Sequence, residues 1–129
     1  MNVLVLSAYA AQSHVHWQQS LQAMFAQWQW RVLSLPPRHF SWRVRGNALF
    51  WSIAERDTLE QPYDLVVATS MVDLATLRGL VPALARVPTI VYFHENQFEY
   101  PQSQQKHSLL EAQMTSIYSA LAADRIVFN

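Results

Sequence analysis

Apolar positions along the chain fall into two kinds of run. Residues 3–7 (VLVLS), 64–69 (DLVVAT), Thr89–Phe93 (TIVYF) and Arg125–Phe128 (RIVF) are short, almost unbroken and rich in Val, Ile and Leu. Runs of that length and continuity suit strands buried on both faces. Residues 30–35 (WRVLSL) alternate like a further strand, which Pro36-Pro37 stops. Longer segments between the strands repeat at helical spacing. Ser13 is placed to cap a helix running to about Gln27, with Val15, Leu21, Met24 and Phe25 on its apolar side. Residues 72–85 place Leu74, Leu77, Leu80, Val81 and Leu84 on one side. Lys106–Ala122 reads as a long amphipathic helix with Leu109, Leu110, Met114, Ile117, Tyr118 and Leu121 as its stripe. Residues 38–56 read as a loop followed by a short helix from about Arg45.

Alternation of continuous apolar strands with helices predicts an α/β fold, a Rossmann-like parallel sheet flanked by helices. The 129 residues suffice for one domain, and 51% hydrophobic against 14% charged residues excludes a disordered chain. With no cysteine, disulfides and thiolate metal sites are excluded. The opening residues lack a basic region, and their apolar run is too short for a signal peptide or a membrane span. A cytoplasmic location is the expectation. The final strand, IVFN, has no covering helix after it, so residues 1–129 are expected to be one domain cut from a longer protein.

Ligands of open α/β sheets bind beyond the carboxyl ends of the strands. That rule selects residues 7–14, 36–47, 69–73 and 94–101. The first of these, SAYAAQSH, has no glycine, and no GK[ST] phosphate loop occurs anywhere in the chain, which argues against a dinucleotide or P-loop site. His14, near a helix start, is a candidate to face an anion. In YFHENQFEYP, His94, Glu95, Asn96, Gln97 and Glu99 offer acid–base and hydroxyl-binding groups directly after a buried strand. The same side chains also suit turn hydrogen bonds and a cap. A metal is not expected there, because adjacent positions rarely share a ligand face.

Charge changes the picture at one point. The net charge is zero, yet Arg31, Arg38, Arg43 and Arg45 fall within residues 1–54, and all nine acidic residues come later. Interleaved with Phe40 and Trp42, these arginines suit phosphate and unpaired bases. Trp51 reads as a core anchor. Trp42 is open between core and ligand, and Trp17, Trp28 and Trp30 read as packing residues.

Three blocks carry a resemblance over essentially the whole chain: the first strand with Ser13-His14, SWRVRGNALFWS at 41–52, and YFHENQFEYP at 92–101 followed by ADRIVFN. Together they resemble the N-terminal domain of the tRNA-queuosine alpha-mannosyltransferases, related to glycosyltransferase family four. The resemblance implies the N-terminal half of a GT-B enzyme that retains anomeric configuration without a bound metal or a permanently bound cofactor. A missing C-terminal domain would hold the nucleotide sugar, GDP-mannose, and the acceptor would be queuosine in tRNA. His94 would contact the transferred sugar or leaving phosphate, supported by Glu95. Ser13 and His14 would border the donor phosphates, and Trp42, Arg43, Arg45, Asn96 and Gln97 would serve the acceptor. One departure stands out: the family's Gly-Gly before Ser-His reads Ala11-Gln12. The competing readings are the same fold with a lipid or glycan acceptor, carried by residues 42–51, and a non-catalytic RNA-binding module. A receiver domain is excluded, since no acid follows the first strand.

Overall fold

The structure, a computed structural model, describes residues 1–94 and 106–129. Five parallel strands, β1 (Asn2–Ser7), β2 (Gln29–Ser34), β3 (Leu65–Thr69), β4 (Thr89–Phe93) and β5 (Arg125–Phe128), form one sheet in the order β2-β1-β3-β4-β5. β1 lies at the heart of it, paired with β2 on one side and β3 on the other. Its residues from Val3 onward are buried, as a continuous apolar run requires.

Alternate residues of β1 serve opposite faces. Val3 and Val5, with Val67, pack against Trp17, Trp28 and Trp30, beneath helix α1 (Gln12–Met24). Leu4 and Leu6 join the larger core on the other face. There α2 (Phe40–Ala54), α4 (Leu74–Leu80) and α5 (Lys106–Ala122) contribute Val44, Trp51, Leu74, Leu77 and Ala112. A four-residue helix, α3 (Arg56–Leu59), buries Leu59 after α2. Because all strands run in one direction, every carboxyl end lies at one edge of the sheet.

Several sequence expectations need correction. Helix α1 begins at Gln12 and is preceded by Ala11, with no side-chain cap, so Ser13 is an exposed first-turn residue rather than a cap. The residue that α1 buries is His14, while Val15 and Met24 face solvent. Trp17 and not the aliphatic side meets the sheet.

Helix α2 begins at Phe40, five residues before the expected start, so Trp42, Arg43 and Arg45 are helical. His39 turns the chain in the left-handed region (φ 56°, ψ 55°), a conformation histidine tolerates better than most residues. Phe40 then meets Tyr9 edge-on at 5.6 Å.

Expected residues 72–85 split into α4 and a 3-10 turn, Pro82–Leu84. Pro82 has no N–H and disfavours helical geometry at Val81. At the other end, the Asp73 carboxylate caps α4 by accepting from Thr76 N at 3.3 Å.

The stripe of α5 is inverted. Leu110, Met114, Ile117, Tyr118 and Leu121 are exposed, while Ala112, Thr115, Ser116 and Ser119 are buried. Small side chains let α5 lie close to α4: Ser119 Oγ donates to Val72 O at 2.6 Å and accepts from Leu74 N at 3.1 Å.

Candidate functional site

The carboxyl edge of the sheet gathers four chain segments. After β1, Ser7 and Ala8 are buried and the chain turns into α1 through Ala11, whose φ of −62° and ψ of 158° lie in extended space. Any residue adopts that conformation. His39 is the only non-glycine residue with positive φ among the described residues, so the turn through Ala11-Gln12 carries no backbone strain that would call for glycine.

His14, 2% exposed, stands in the first turn of α1 and reaches back over the sheet. His94 directly follows β4. Their rings stack with centroids 3.9 Å apart and planes 14° from parallel. Trp17, one turn along α1, stands edge-on to His94 at 4.9 Å and stacks on Tyr92 at 4.5 Å. Tyr92 meets His94 at 4.7 Å and its hydroxyl donates to Asn129 Oδ1 at 3.0 Å. Four rings from two distant parts of the chain thus fix one another. Such packing holds two imidazoles in a defined orientation, with nitrogens that accept, donate or carry a proton.

On the other face, α2 reaches the same edge through the Phe40–Tyr9 contact. Trp42 is 78% exposed, so it is no core anchor, whereas Trp51 at 1% is one. Arg43 is half-buried. Arg45 pairs with Asp73 at 3.4 Å and Glu111 at 2.9 Å, tying α2 to the β3–α4 loop and to α5. With half the arginine side chain in water, each pair is worth at most about 1 kcal/mol. Asn47 is fully buried at the centre of this region. It donates to Val44 O and Met71 O, both at 3.0 Å, and accepts from Asp73 N at 3.0 Å. That network fixes the loop after β3.

The structure therefore brings His14 and His94 into contact and places Trp42, Arg43 and Arg45 on α2, on the opposite face of the sheet from α1. Ser13 is exposed on the first turn of α1. Glu95, Asn96 and Gln97, together with Glu99, lie outside the described residues. Two residues were passed over by sequence reasoning. Trp17 was read as packing alone, although it stands three positions after His14 and so shares its helix face. Asn47 was passed over within a basic, aromatic block. Its signal was a polar residue on the Val44–Ala48–Trp51 side of a helical repeat. Among the described residues no group of three His, Asp or Glu side chains is placed to hold a metal ion.

A parallel five-stranded sheet flanked by helices defines a Rossmann-like α/β domain, and the ring cluster lies beyond the carboxyl ends of its strands, the edge at which such sheets bind ligands. Comparison with known proteins narrows the class. The model of the family described as tRNA-queuosine alpha-mannosyltransferase N-terminal matches residues 2–129, and the chain belongs to that family. The tRNA-queuosine alpha-mannosyltransferase of Drosophila melanogaster is 40% identical over 99 residues, 76% of this chain and 26% of that protein. The chain thus spans about a quarter of that relative's length. No solved structure matches significantly.

Proposed function

We propose that this chain is the acceptor-side domain of a retaining glycosyltransferase that moves mannose from GDP-mannose to queuosine in tRNA. The observation that carries the reading is the stacked His14–His94 pair at the carboxyl edge of a domain whose residues 2–129 match the mannosyltransferase family. A second domain, outside residues 1–129, would bring the nucleotide sugar to this edge. A tRNA acceptor fits a cytoplasmic enzyme.

In this reading His94 contacts the transferred sugar or the leaving phosphate, and His14 with Ser13 borders the donor phosphates. Buried His14 positions His94 by stacking, and Trp17 holds the pair from the side. Trp42 and Arg43 face the acceptor from the first turns of α2. Arg45, bound to Asp73 and Glu111, shapes this wall more than it holds a phosphate. Glu95, Asn96 and Gln97 would act from the loop after His94.

The test is incubation of the protein, with its second domain, with GDP-mannose and queuosine-containing tRNA, then digestion and mass spectrometry of the nucleosides. One added hexose on queuosine is the expected result. A folded protein that adds none, with any donor, removes the reading. His94→Ala is expected to lower transfer at least about 100-fold, the usual size of one acid–base or charge-stabilising contact. Near-normal transfer by that variant removes His94 from the site.

One observation favours a second reading, a lipid or glycan acceptor. Helix α2 exposes Trp42, Leu49, Phe50 and Ile53, an apolar surface of the kind that lies on membranes. Among the described residues no helix is long and apolar enough to cross one. Co-sedimentation with liposomes, and none with tRNA, would move the assignment to this acceptor class.

A further inference from the structure

At the end of the sheet opposite His14 and His94, a cavity of about 200 Å³ opens among Asn2, Gln29, Trp30, Arg31, Gln61 and Tyr63. It lies at the amino ends of β1 and β2, where Asn2 and Gln29 are register partners. The main chain here is tied down. Asn2 N donates to Asp64 Oδ2 at 2.7 Å, and Gln29 N donates to Met1 O at 2.8 Å. The Tyr63 hydroxyl donates to Thr58 O at 2.7 Å. Burial raises the phenol above its usual pKa and the neighbouring Arg31 opposes that, so the hydroxyl stays neutral and forms a fixed wall.

The side chains on this frame keep hydrogen-bonding capacity to spare: Arg31 hydrogen-bonds only the Tyr63 side chain among the described residues. The carboxamides of Asn2 and Gln29 form no hydrogen bond among the described residues. Arg31 has no carboxylate within ion-pair distance among the described residues, unlike Arg45, Arg56 and Arg78. A guanidinium that is hydrogen-bonded to the Tyr63 side chain but has no carboxylate partner, and two carboxamides without a hydrogen bond among the described residues, thus converge on one opening.

We propose that this cavity is a nucleotide subsite, with Arg31 on the phosphate and the Asn2 and Gln29 carboxamides on the ribose hydroxyls. A guanidinium presents two parallel N–H groups to a phosphate. A carboxamide donates and accepts at once, as a hydroxyl pair requires. The volume sets the size of the ligand: small-molecule pockets usually run from about 300 Å³ upward, so this one holds a single phosphate and sugar and leaves the base outside. The Asp64 carboxylate, hydrogen-bonded to the main chain of the lining residue Asn2, adds a negative charge next to this frame and disfavours a polyphosphate. Two sources supply such a unit: a free nucleoside monophosphate, or one nucleotide of an RNA strand. Only the second rests on the tRNA reading, in which this subsite grips the acceptor far from the reacting base.

The experiment is an NMR titration of the protein with cytidine 5′-monophosphate, following the side-chain amides of Asn2 and Gln29. Saturable shifts are expected, with Arg31→Ala weakening binding about tenfold or more and Arg31→Lys less, since lysine keeps the charge without the fork. Amides unmoved up to about 10 mM ligand, well into the weak range, or equal binding by Arg31→Ala, would overturn the subsite. Arg31 is exposed, so the variants keep their fold. Queuosine-containing tRNA is then added as competitor. Displacement of the monophosphate identifies RNA as the source. Monophosphate binding without displacement upholds the subsite for free nucleotides and counts against the tRNA reading.

Discussion

At the scale of single residues, α2 holds the two positions with the clearest consequences. Gly46 lies within the helix and has no positive φ. A Cβ built there comes no nearer than 3.8 Å, to Cε3 of Trp42, an ordinary contact. The glycine therefore serves no backbone need, and Gly46→Ala is expected to raise stability by about 0.5–1 kcal/mol. A higher urea midpoint at unchanged slope checks it; a lower one would mean that the extra methyl disturbs Trp42. Next to it, Asn47 has the opposite character. Truncation to alanine leaves Asp73 N and Met71 O buried without their partner. Each orphaned buried group costs about 1–3 kcal/mol, so Asn47→Ala is expected to lose about 2–4 kcal/mol in the same experiment. Asn47→Asp is expected to be no better, since a carboxylate cannot donate to Val44 O or Met71 O and stands beside Asp73. An Asn47→Asp variant as stable as the wild type would show that the donated bonds matter little.

At the scale of elements, the strands were legible because continuous apolar runs have one good solution, burial on both faces. Helix α5 shows where that reasoning stops. Its bounds were read correctly, but its apolar side points outward. Hydrophobic periodicity assumes that the apolar side is the one that packs. Here the close approach of α5 to α4 selects small side chains, and Ser119 supplies hydrogen bonds that an apolar residue cannot. Ser119→Val is expected to cost about 1–3 kcal/mol, because Leu74 N loses its acceptor in a buried place. Leu121→Glu, at 78% exposure, is expected to change stability by less than about 0.5 kcal/mol. Thermal unfolding of the two variants side by side decides the orientation of the helix; the reverse ranking would restore the apolar stripe to the interior. The start of α2 was missed for a related reason. Its signal, Val44, Asn47, Ala48 and Trp51 on one side, includes a buried polar residue that periodicity counts as a gap. The histidine pair was legible only as two candidates. Their stacking depends on sheet order, which places the end of β4 beside the start of α1, and no local pattern encodes that.

At the scale of the molecule, the uneven placement of charge governs how a nucleic acid would meet the domain. Formal counting gives nine cations, which would promise a steep salt dependence for any nucleic-acid partner. Pairing reduces the number that are available. Arg45 is held by Asp73 and Glu111, Arg56 by Glu60, and Arg78 donates to the carbonyls of Ala122 and Ala85. In residues 1–54, where no acid occurs, Arg31 and Arg38 are exposed and Arg43 is half-buried. A tRNA approaching these residues meets two or three cations that have no ion pair among the described residues. Each phosphate contact releases roughly 0.7–0.9 counterion, so the plot of log affinity against log salt for this domain is expected to fall with a slope of roughly two. Arg38→Ala should flatten that slope by about one unit, whereas Arg45→Ala should leave it nearly unchanged while loosening α2 from α5. A filter-binding series over salt, run on both variants, tests the assignment. Equal flattening by the two substitutions would mean that Arg45 leaves its carboxylates for the RNA, and that its ion pairs are an arrangement of the free protein alone.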